Sequence, residues 1–199
     1  SILNHDDANA LEEALKIKDK FEDVTVTVVT MGPPQASDLL FECIAKGADE
    51  GILVSDRAVG GSDTQATSNV LVAAIKRWEK DNGPADLIFA GRQAIDGDTA
   101  QVGPQIAEHL GVPQITYAAA IDYNEEKGAL VVKREFEDRY QTLEVKGQCL
   151  ITILSTLDTP RYMNVWDIVA QDEKEIGIIT FADLDLNKED IGLGGSPTK

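Results

Sequence analysis

The stretch Asp86-Leu-Ile-Phe-Ala-Gly91-Arg-Gln-Ala-Ile-Asp-Gly-Asp-Thr-Ala-Gln-Val-Gly103 says most about how this chain folds. Its apolar first part predicts a strand that ends at Gly91, and its polar middle predicts a loop. Asp98 followed by Gln101 matches the capping pattern that opens a helix. The first-turn N–H groups of a helix have no partner within it, and the helix dipole attracts negative charge. The stretch therefore predicts a helix N-terminus at which a phosphate can bind.

Single residues of this loop have more than one interpretation. We expect Asp98 to cap the helix, whereas Asp96 is either a solvated acid or an acceptor for a ribose hydroxyl. Pro104 cannot donate a backbone hydrogen bond, so we expect the helix to restart near Gly103 after a separate first turn over residues 98–102. Without a ligand, the same sequence is an ordinary capped helix. Donors to phosphate oxygens would come from Thr99, Ala100, Gln101 and Val102.

Short apolar runs alternate with helical patterns through the first part of the chain. This alternation predicts the α/β class, with an open, mostly parallel sheet and helices on both faces. The predicted strands cover residues 24–30, 51–55 and 85–90, and a further strand opens at residues 114–117. The predicted helices cover residues 4–21 and 36–46, a segment around 70–78 and one that ends at residue 110.

The pattern changes after Tyr123. Apolar and polar residues alternate over 129–136 and 139–145, which predicts an antiparallel hairpin that extends the sheet. A strand over 149–154, a helix over 163–170 and a strand over 176–180 follow. The length of 199 residues suits one domain, which we place at residues 1–184, with an irregular tail at 185–199.

The chain is strongly acidic, with 35 acidic against 18 basic residues and a formal net charge of −17. This charge argues against nucleic acid and against an anionic membrane as partners. An anionic ligand would be held by local donors, such as helix N-termini, backbone N–H groups and Arg92. No apolar run approaches the roughly 18 residues of a membrane span. The sequence does not open with a basic, apolar-cored segment, so we expect no secretion leader.

Nothing in the sequence predicts catalysis by the chain alone. Cys43 and Cys149 stand far apart on apolar segments, so we expect both to be buried in a protein of a reducing compartment. We expect no metal site. The sequence also lacks a nucleophile elbow, a P-loop lysine and a Rossmann glycine pattern.

Four stretches resemble the beta subunit of the electron transfer flavoprotein family, in that family's order. The loop Gly91–Gly103 is similar to the family signature, and Asn4–Ala14 is similar to the start of its first helix. Val29–Pro33 resembles the end of its second strand, and Leu157–Tyr162 resembles its dehydrogenase-recognition loop. The resemblance implies the adenine nucleotide alpha hydrolase-like version of the predicted fold.

The resemblance also implies two sets of functional residues. An exposed Leu157 would anchor a partner dehydrogenase, together with Pro160, Arg161 and Tyr162. The nucleotide-contacting positions of the family fall on Asn4, His5, Asp6, Asp7, Met31, Arg92, Gln93, Ala94, Ile95, Asp96, Gly97, Asp98, Thr99, Ala100, Gln101, Val102 and Gly103.

The resemblance implies an electron-transfer subunit that works with an alpha subunit carrying its own FAD. The residues of the loop are similar to those of the flavin-bifurcating group of anaerobic bacteria and archaea. This similarity implies that the chain binds FAD and has a cytoplasmic location. In that group, electrons from NADH pass to a low-potential acceptor such as ferredoxin or flavodoxin, and through the alpha-subunit FAD to an acyl-CoA dehydrogenase.

Three alternatives remain open from the sequence. The first is a non-bifurcating beta subunit that holds AMP as a structural ligand. The second is a stand-alone ATP-binding regulator similar to universal stress proteins, and the third is an ATP-dependent ligase-like enzyme, whose Ser-Gly-Gly-x-Asp-Ser loop the chain lacks. We also expect the N-terminal strand of the family to be absent and its C-terminal arm to be shortened, which would expose a sheet edge and remove part of the adenine side of the pocket.

Overall fold

Helices and strands alternate along the chain in a computed structural model that describes residues 2–170 and 174–198. The helices are α1 (His5–Lys20), α2 (Ser37–Ala45), α3 (Thr64–Asn82), α4 (Val102–Leu110) and α5 (Val165–Ala170). The strands are β1 (Thr27–Met31), β2 (Glu50–Val54), β3 (Leu87–Gly91), β4 (Gln114–Asn124), β5 (Ala129–Glu135), β6 (Tyr140–Val145), β7 (Cys149–Ile153) and β8 (Gly177–Ile179).

The chain divides into two compact units, each with its own sheet. The first unit comprises Ser1–Leu3, Leu15–Gly83 and Arg161–Lys199, and the second comprises Asn4–Ala14 and Pro84–Pro160. The single domain predicted over residues 1–184 stays a prediction. Residues 1 and 171–173 of that prediction, and residue 199 of the predicted tail, lie outside the described part of the chain.

The first unit contains a parallel sheet of three strands in the order β1-β2-β8. Successive side chains of a strand point to opposite faces, and β2 shows this with Leu53 and Val54. Leu53 packs with Leu40 of α2, whereas Val54 packs with Val70 of α3. Helices α2 and α3 therefore cover opposite faces of this sheet.

The second unit contains a mixed sheet in the order β3-β7-β4-β5-β6. β3, β7 and β4 are parallel, and β5 and β6 continue the sheet as an antiparallel hairpin. Ile151 of β7 belongs to the same buried cluster as Ala10 of α1. Thr152 and Leu150, which point to the other face, lie against Gly103 of α4. Helices α1 and α4 thus cover opposite faces of this sheet.

The predicted α/β class, with parallel strands and helices on both faces, is confirmed, and so is the antiparallel hairpin. The parallel strands are shared between two sheets. β4 begins at the predicted position and continues to Asn124. Cys43 and Cys149 are both buried, as predicted, and burial raises the pKa of the Cys149 thiol above its ordinary value. Among the described residues, no helix combines the length and the apolar character needed to cross a bilayer.

Asp63 joins the start of α3 to the C-terminal segment of the first unit. Its carboxylate caps α3 by accepting the Ala66 N–H at 3.0 Å, and it accepts the Thr198 N–H at 3.0 Å and the Thr198 hydroxyl at 2.8 Å. The Asp63 N–H donates to the buried hydroxyl of Ser196 at 2.8 Å. These bonds, above all that from Ala66, hold the pKa of Asp63 below its ordinary value of 3.8.

Replacing Asp63 by asparagine should lower the melting temperature at neutral pH, because the carboxylate accepts hydrogen bonds at both ends of this connection. A carboxyl group with a lowered pKa in the folded protein contributes stability above its ordinary pKa, and this contribution is lost as the pH falls through the lowered value. The difference between wild type and Asp63→Asn should therefore shrink below about pH 4. Thermal unfolding followed by circular dichroism at several pH values measures it.

Asp23→Asn is the control, because Asp23 is an exposed acid of the same unit. A difference between wild type and Asp63→Asn that stays constant with pH would contradict the assignment.

Candidate functional site

The loop that follows β3 is folded back on itself. Residues Ala94 and Gly97 form an antiparallel bridge, and the Thr99 N–H donates to the Gly97 carbonyl at 2.9 Å. The Gln93 side-chain amide donates to the Asp98 carboxylate at 2.6 Å. Residues 94–99 are all exposed. The loop therefore presents an ordered but accessible turn at the carboxyl end of the parallel strands, where ligands of open α/β sheets bind.

Helix α4 begins with a backbone geometry suited to an anion. Ala100 has a φ of 53°, which is rare for a residue with a side chain, and Gln101 follows in the right-handed region with a φ of −101°. Neighbouring residues of opposite handedness turn their N–H groups into a shared concavity that binds anions. The side chain of Gln101, at the N-cap, does not cap the first turn. The N–H groups around Val102 thus point to a place where a phosphate fits.

Two details predicted for this helix are wrong. Asp98 does not cap it, because the helix begins at Val102 and the Asp98 carboxylate instead accepts the Gln93 amide. The regular helix does begin near Gly103, at Val102, but residues 98–101 form no separate helical turn before it, and Pro104 is the third residue of the helix. An N–H at that position would have no partner within the helix, so the proline ring fits without distortion.

The N-terminus of α1 is bonded to the end of β3 by two side chains. The Asn4 amide donates to the Gln93 carbonyl at 2.7 Å and to the Asp7 carboxylate at 2.8 Å. The same Asp7 carboxylate accepts the Gly91 N–H at 2.6 Å. These contacts give Asn4 and Asp7 a structural task, which is to fix the start of the loop.

Asp6 connects α1 to the ends of two neighbouring strands, and it is 5% exposed. One carboxylate oxygen accepts the Ser155 N–H beyond β7 at 3.0 Å, and the other lies 3.4 Å from the Arg92 guanidinium Nε beyond β3. The Oδ2 atom of Asp6 and the Nε atom of Arg92 are buried, and neither has a hydrogen-bond partner among the described residues. Buried polar atoms that lack partners are uncommon and mark places where a ligand or water completes the bonding.

Two glycines of the loop lie directly against other backbone or side-chain atoms. A Cβ atom on Gly91 would lie 2.7 Å from the Asp7 backbone nitrogen, and one on Gly103 would lie 2.8 Å from the Thr152 methyl carbon. No atom lies within 4 Å of a Cβ placed on Gly97. Gly91 and Gly103 therefore serve close packing, whereas Gly97 leaves room at the surface of the loop.

The electrostatics of the site favour backbone donors over charge. The start of α1 and the loop together carry four acids, Asp6, Asp7, Asp96 and Asp98, and one arginine, Arg92. Although part of Asp7 is open to solvent, the packed chain around its carboxylate raises its pKa above the ordinary value. Hydrogen bonds from Asn4 and Gly91 oppose this shift, and the charge of Asp6 adds to it. An anion here must rely on the N–H groups of the loop and on Arg92.

The structure brings most of the predicted nucleotide residues together in the second unit. Asn4 and Asp6 contact the loop from Arg92 to Gly103, Asp7 contacts Gly91 at the end of β3, and His5 is exposed beside them. Met31 ends β1 in the first unit, and its contact with a nucleotide stays a prediction, as do those of the loop residues. Sequence reasoning missed Ser155 and Thr152, because their roles depend on which elements β7 adjoins.

The residues that resemble a recognition loop differ in exposure. Leu157, which we expected to be exposed, is half-buried and packs against the core cluster of the second unit. Pro160 is also half-buried. In the first unit, the Arg161 guanidinium lies 2.8 Å from the Asp19 carboxylate, and Tyr162 is 94% exposed.

An apolar surface follows Tyr162 in the first unit, and we call it the 162–169 surface. Trp166 is 81% exposed, and large apolar side chains are seldom exposed in such a group without a partner. The other exposed members are Tyr162, Met163, Val165, Ile168 and Val169.

The residues present fit a phosphate-bearing nucleotide. Backbone donors at Ala100–Val102 and an open surface at Gly97 suit a diphosphate. So does the Arg92 guanidinium, whose buried Nε has no hydrogen-bond partner in the described part of the chain. Among the described residues, no group of three or more His, Cys, Asp or Glu side chains is arranged to hold a metal ion.

Comparison with known proteins gives a consistent result. The Electron transfer flavoprotein domain family matches residues 1–183. The chain is 50% identical over 199 residues to the electron transfer flavoprotein subunit beta of Clostridium acetobutylicum, and 52% identical over 199 residues to the caffeyl-CoA reductase-Etf complex subunit CarD of Acetobacterium woodii. It is 48% identical over 204 residues to the acryloyl-CoA reductase electron transfer subunit gamma of Anaerotignum propionicum. Each match covers 100% of this chain and 74% of the relative. The resemblance found in the sequence is confirmed.

Substituting alanine for Gly91 should destabilise the protein by about 1–3 kcal/mol, because the added Cβ would overlap backbone atoms at the start of α1. Gly97→Ala is the matched control in the same loop, and it should change the free energy of unfolding by less than about 0.5 kcal/mol. Urea denaturation of the two variants and the wild type measures both effects. Equal stability of Gly91→Ala and Gly97→Ala would contradict the close packing at Gly91.

Proposed function

We propose that this chain, which belongs to the electron transfer flavoprotein family, works as the beta subunit of a heterodimeric electron carrier and holds FAD at the loop between β3 and α4. The observation that carries the proposal is the change of backbone handedness from Ala100 to Gln101 at the start of α4. It gathers backbone N–H groups where a diphosphate needs them, in a chain whose net charge is −17.

The residues of this chain would have binding and orienting roles. Arg92 would add a charged donor beside the backbone N–H groups, and Asp6 and Asn4 would keep the loop in place. Asp96 is exposed on the loop and would accept a hydrogen bond from a ribose hydroxyl. We propose no catalysis by the chain alone, since the cofactor supplies the redox chemistry and the protein supplies position and environment.

We further propose that the complex is of the bifurcating type. The chain would hold FAD at the loop from Arg92 to Gly103, and this cofactor would supply the redox chemistry that connects NADH with a low-potential acceptor such as ferredoxin or flavodoxin and, through the FAD of the alpha subunit, with an acyl-CoA dehydrogenase. Two relatives support a dehydrogenase or reductase of CoA thioesters as the partner. One is named as a subunit of a caffeyl-CoA reductase-Etf complex, and the other as an electron transfer subunit of acryloyl-CoA reductase. The bacterial sources of these relatives agree with our proposal of the cytoplasm of an anaerobic bacterium or archaeon as the location.

AMP is the second candidate ligand, because the same phosphate donors would hold it. Counting FAD and AMP in the purified heterodimer of this chain and an alpha subunit decides between them. We expect two FAD and no AMP per heterodimer. One FAD with one AMP would overturn the FAD assignment, and a heterodimer with no nucleotide on this chain would overturn the site. Tight ATP binding by the chain without an alpha subunit would favour a stand-alone regulator.

Arg92→Gln should weaken nucleotide binding to this chain roughly tenfold to a hundredfold, since hydrogen bonds from charged groups contribute about 1.5–3 kcal/mol. Titration of the stripped heterodimer with FAD, followed by flavin fluorescence, measures the affinity. Arg139→Gln is the matched control, because Arg139 stacks on Phe136 in the hairpin of the same unit. Equal affinities of the two variants would remove Arg92 from the site.

Partner recognition is proposed for Leu157, Pro160, Arg161 and Tyr162. The half-buried Leu157 is better suited to shape the turn, whereas Tyr162 and Trp166 offer the accessible aromatic side chains that dominate binding at transient interfaces.

Replacing Tyr162 by alanine should raise the dehydrogenase concentration needed for half-maximal electron transfer about tenfold, because an exposed aromatic contact is lost. The flavin content should stay unchanged. The assay uses an acyl-CoA dehydrogenase that accepts electrons from the wild-type heterodimer. Tyr140→Ala is the control, as Tyr140 is 57% exposed in the hairpin of the second unit. An equal effect of both substitutions would contradict the assignment.

A further inference from the structure

Thr152 is a buried polar residue of β7 whose two side-chain branches serve two different elements. It is 2% exposed and points to the face of the sheet that α4 covers. Its hydroxyl oxygen accepts the backbone N–H of Tyr117 in β4 at 3.0 Å. Its methyl carbon faces Gly103 in the first turn of α4. A Cβ atom placed on Gly103 would lie 2.8 Å from this methyl carbon. One side chain thus connects β4 with the helix that begins at the proposed nucleotide site.

The β4 side of this connection is strained. Tyr117 has a φ of 60°, a region that bulky residues rarely occupy. The pairing of β4 with β7 shifts its register between Ile115 and Ala118, so Tyr117 lies in an irregularity of the strand. Such a backbone persists only where surrounding contacts hold it. The hydrogen bond to Thr152 is one of these contacts, and that from the Arg134 guanidinium to the Thr116 hydroxyl at 2.6 Å is another.

The hydrogen bond also fixes the direction of the Thr152 methyl group. Rotation about the first side-chain torsion moves the hydroxyl and the methyl group together, because both are attached to Cβ. As long as the hydroxyl accepts the Tyr117 N–H, the methyl group stays against Gly103. Leu150 and Ala90 complete this contact surface at 3.6 and 3.7 Å from a Cβ on Gly103.

We propose that Thr152 is a positioning residue of the nucleotide site: its methyl group sets the depth at which the first turn of α4 lies on the sheet. This inference rests on the proposed nucleotide function. Gly103 and Val102 belong to the same turn, so a displacement of Gly103 moves the backbone donors next to Ala100. Small displacements of a binding constellation are enough to weaken it.

The test is a set of variants in the heterodimer with the alpha subunit, stripped of the nucleotide of this chain and titrated with FAD and, separately, with AMP. Gly103→Ala should weaken binding of the nucleotide about tenfold, because its Cβ would push the turn away from the Thr152 methyl group. Thr152→Ser removes that methyl group and keeps the hydroxyl. Combining it with Gly103→Ala should restore the affinity to within about threefold of wild type.

Thr152→Val is the matched partner of the serine variant, since it keeps a methyl group against Gly103 and loses the hydroxyl. It should leave the Gly103→Ala defect uncorrected. Alone, it should lower the melting temperature, because the Tyr117 N–H loses its acceptor. Leu130→Val is the control that lowers stability at a position away from α4, because Leu130 pairs with Tyr123 at the other end of β4. It should lower the melting temperature and leave the affinity unchanged.

The outcomes separate two failures. A wild-type heterodimer that binds neither FAD nor AMP on this chain overturns the proposed function and this inference with it. Wild-type binding together with an unimpaired Gly103→Ala variant, or with correction by both Thr152→Ser and Thr152→Val, overturns only the role of Thr152. Titrations well below the melting temperature of each variant keep loss of folding out of the comparison.

Discussion

The second unit depends on the bonding between the first turn of α1 and the ends of two parallel strands. Asp6 and Asp7 place their carboxylates at a helix N-terminus, where the dipole stabilises negative charge, and use them to accept backbone N–H groups beyond β7 and in β3. Asn4 adds a bond to the loop. Because these contacts are made by backbone groups of the strand ends, the loop after Gly91 begins from a fixed position. The position of the proposed anion-binding turn follows from this constraint.

The sequence predicted the elements well where a local pattern decides the structure. β-branched runs and helical stripes located the parallel strands and helices, and alternation over residues 129–145 located the hairpin. The start of α4 could not be predicted in the same way. The sequence Asp98 to Gln101 satisfies a helix-capping pattern, but the Asp98 side chain bonds to Gln93 in the loop. Short polar side chains compete for local partners, and the tertiary position of the loop decides the outcome.

The candidate site, too, could be predicted from the sequence only in part. The sequence motifs of the loop and of the start of α1 allowed both segments to be located. No sequence pattern predicted the left-handed φ angles of Ala100 and Tyr117. Neither residue type favours that conformation, so it arises from contacts between elements distant in the chain. The roles of Ser155 and Thr152 were hidden for the same reason. Leu157 differs from these residues: its segment is polar, but its side chain packs against the core cluster of the second unit.

The 162–169 surface also has a consequence for handling the isolated subunit. At low ionic strength, mutual repulsion between copies that carry a charge of −17 opposes contact between their exposed Trp166 side chains. Added salt shortens the Debye length to about 3 Å at 1 M, so this protection disappears while apolar attraction remains. Concentrated solutions of the subunit are therefore better kept in dilute buffer, and precipitation by salt is the expected mode of loss during purification.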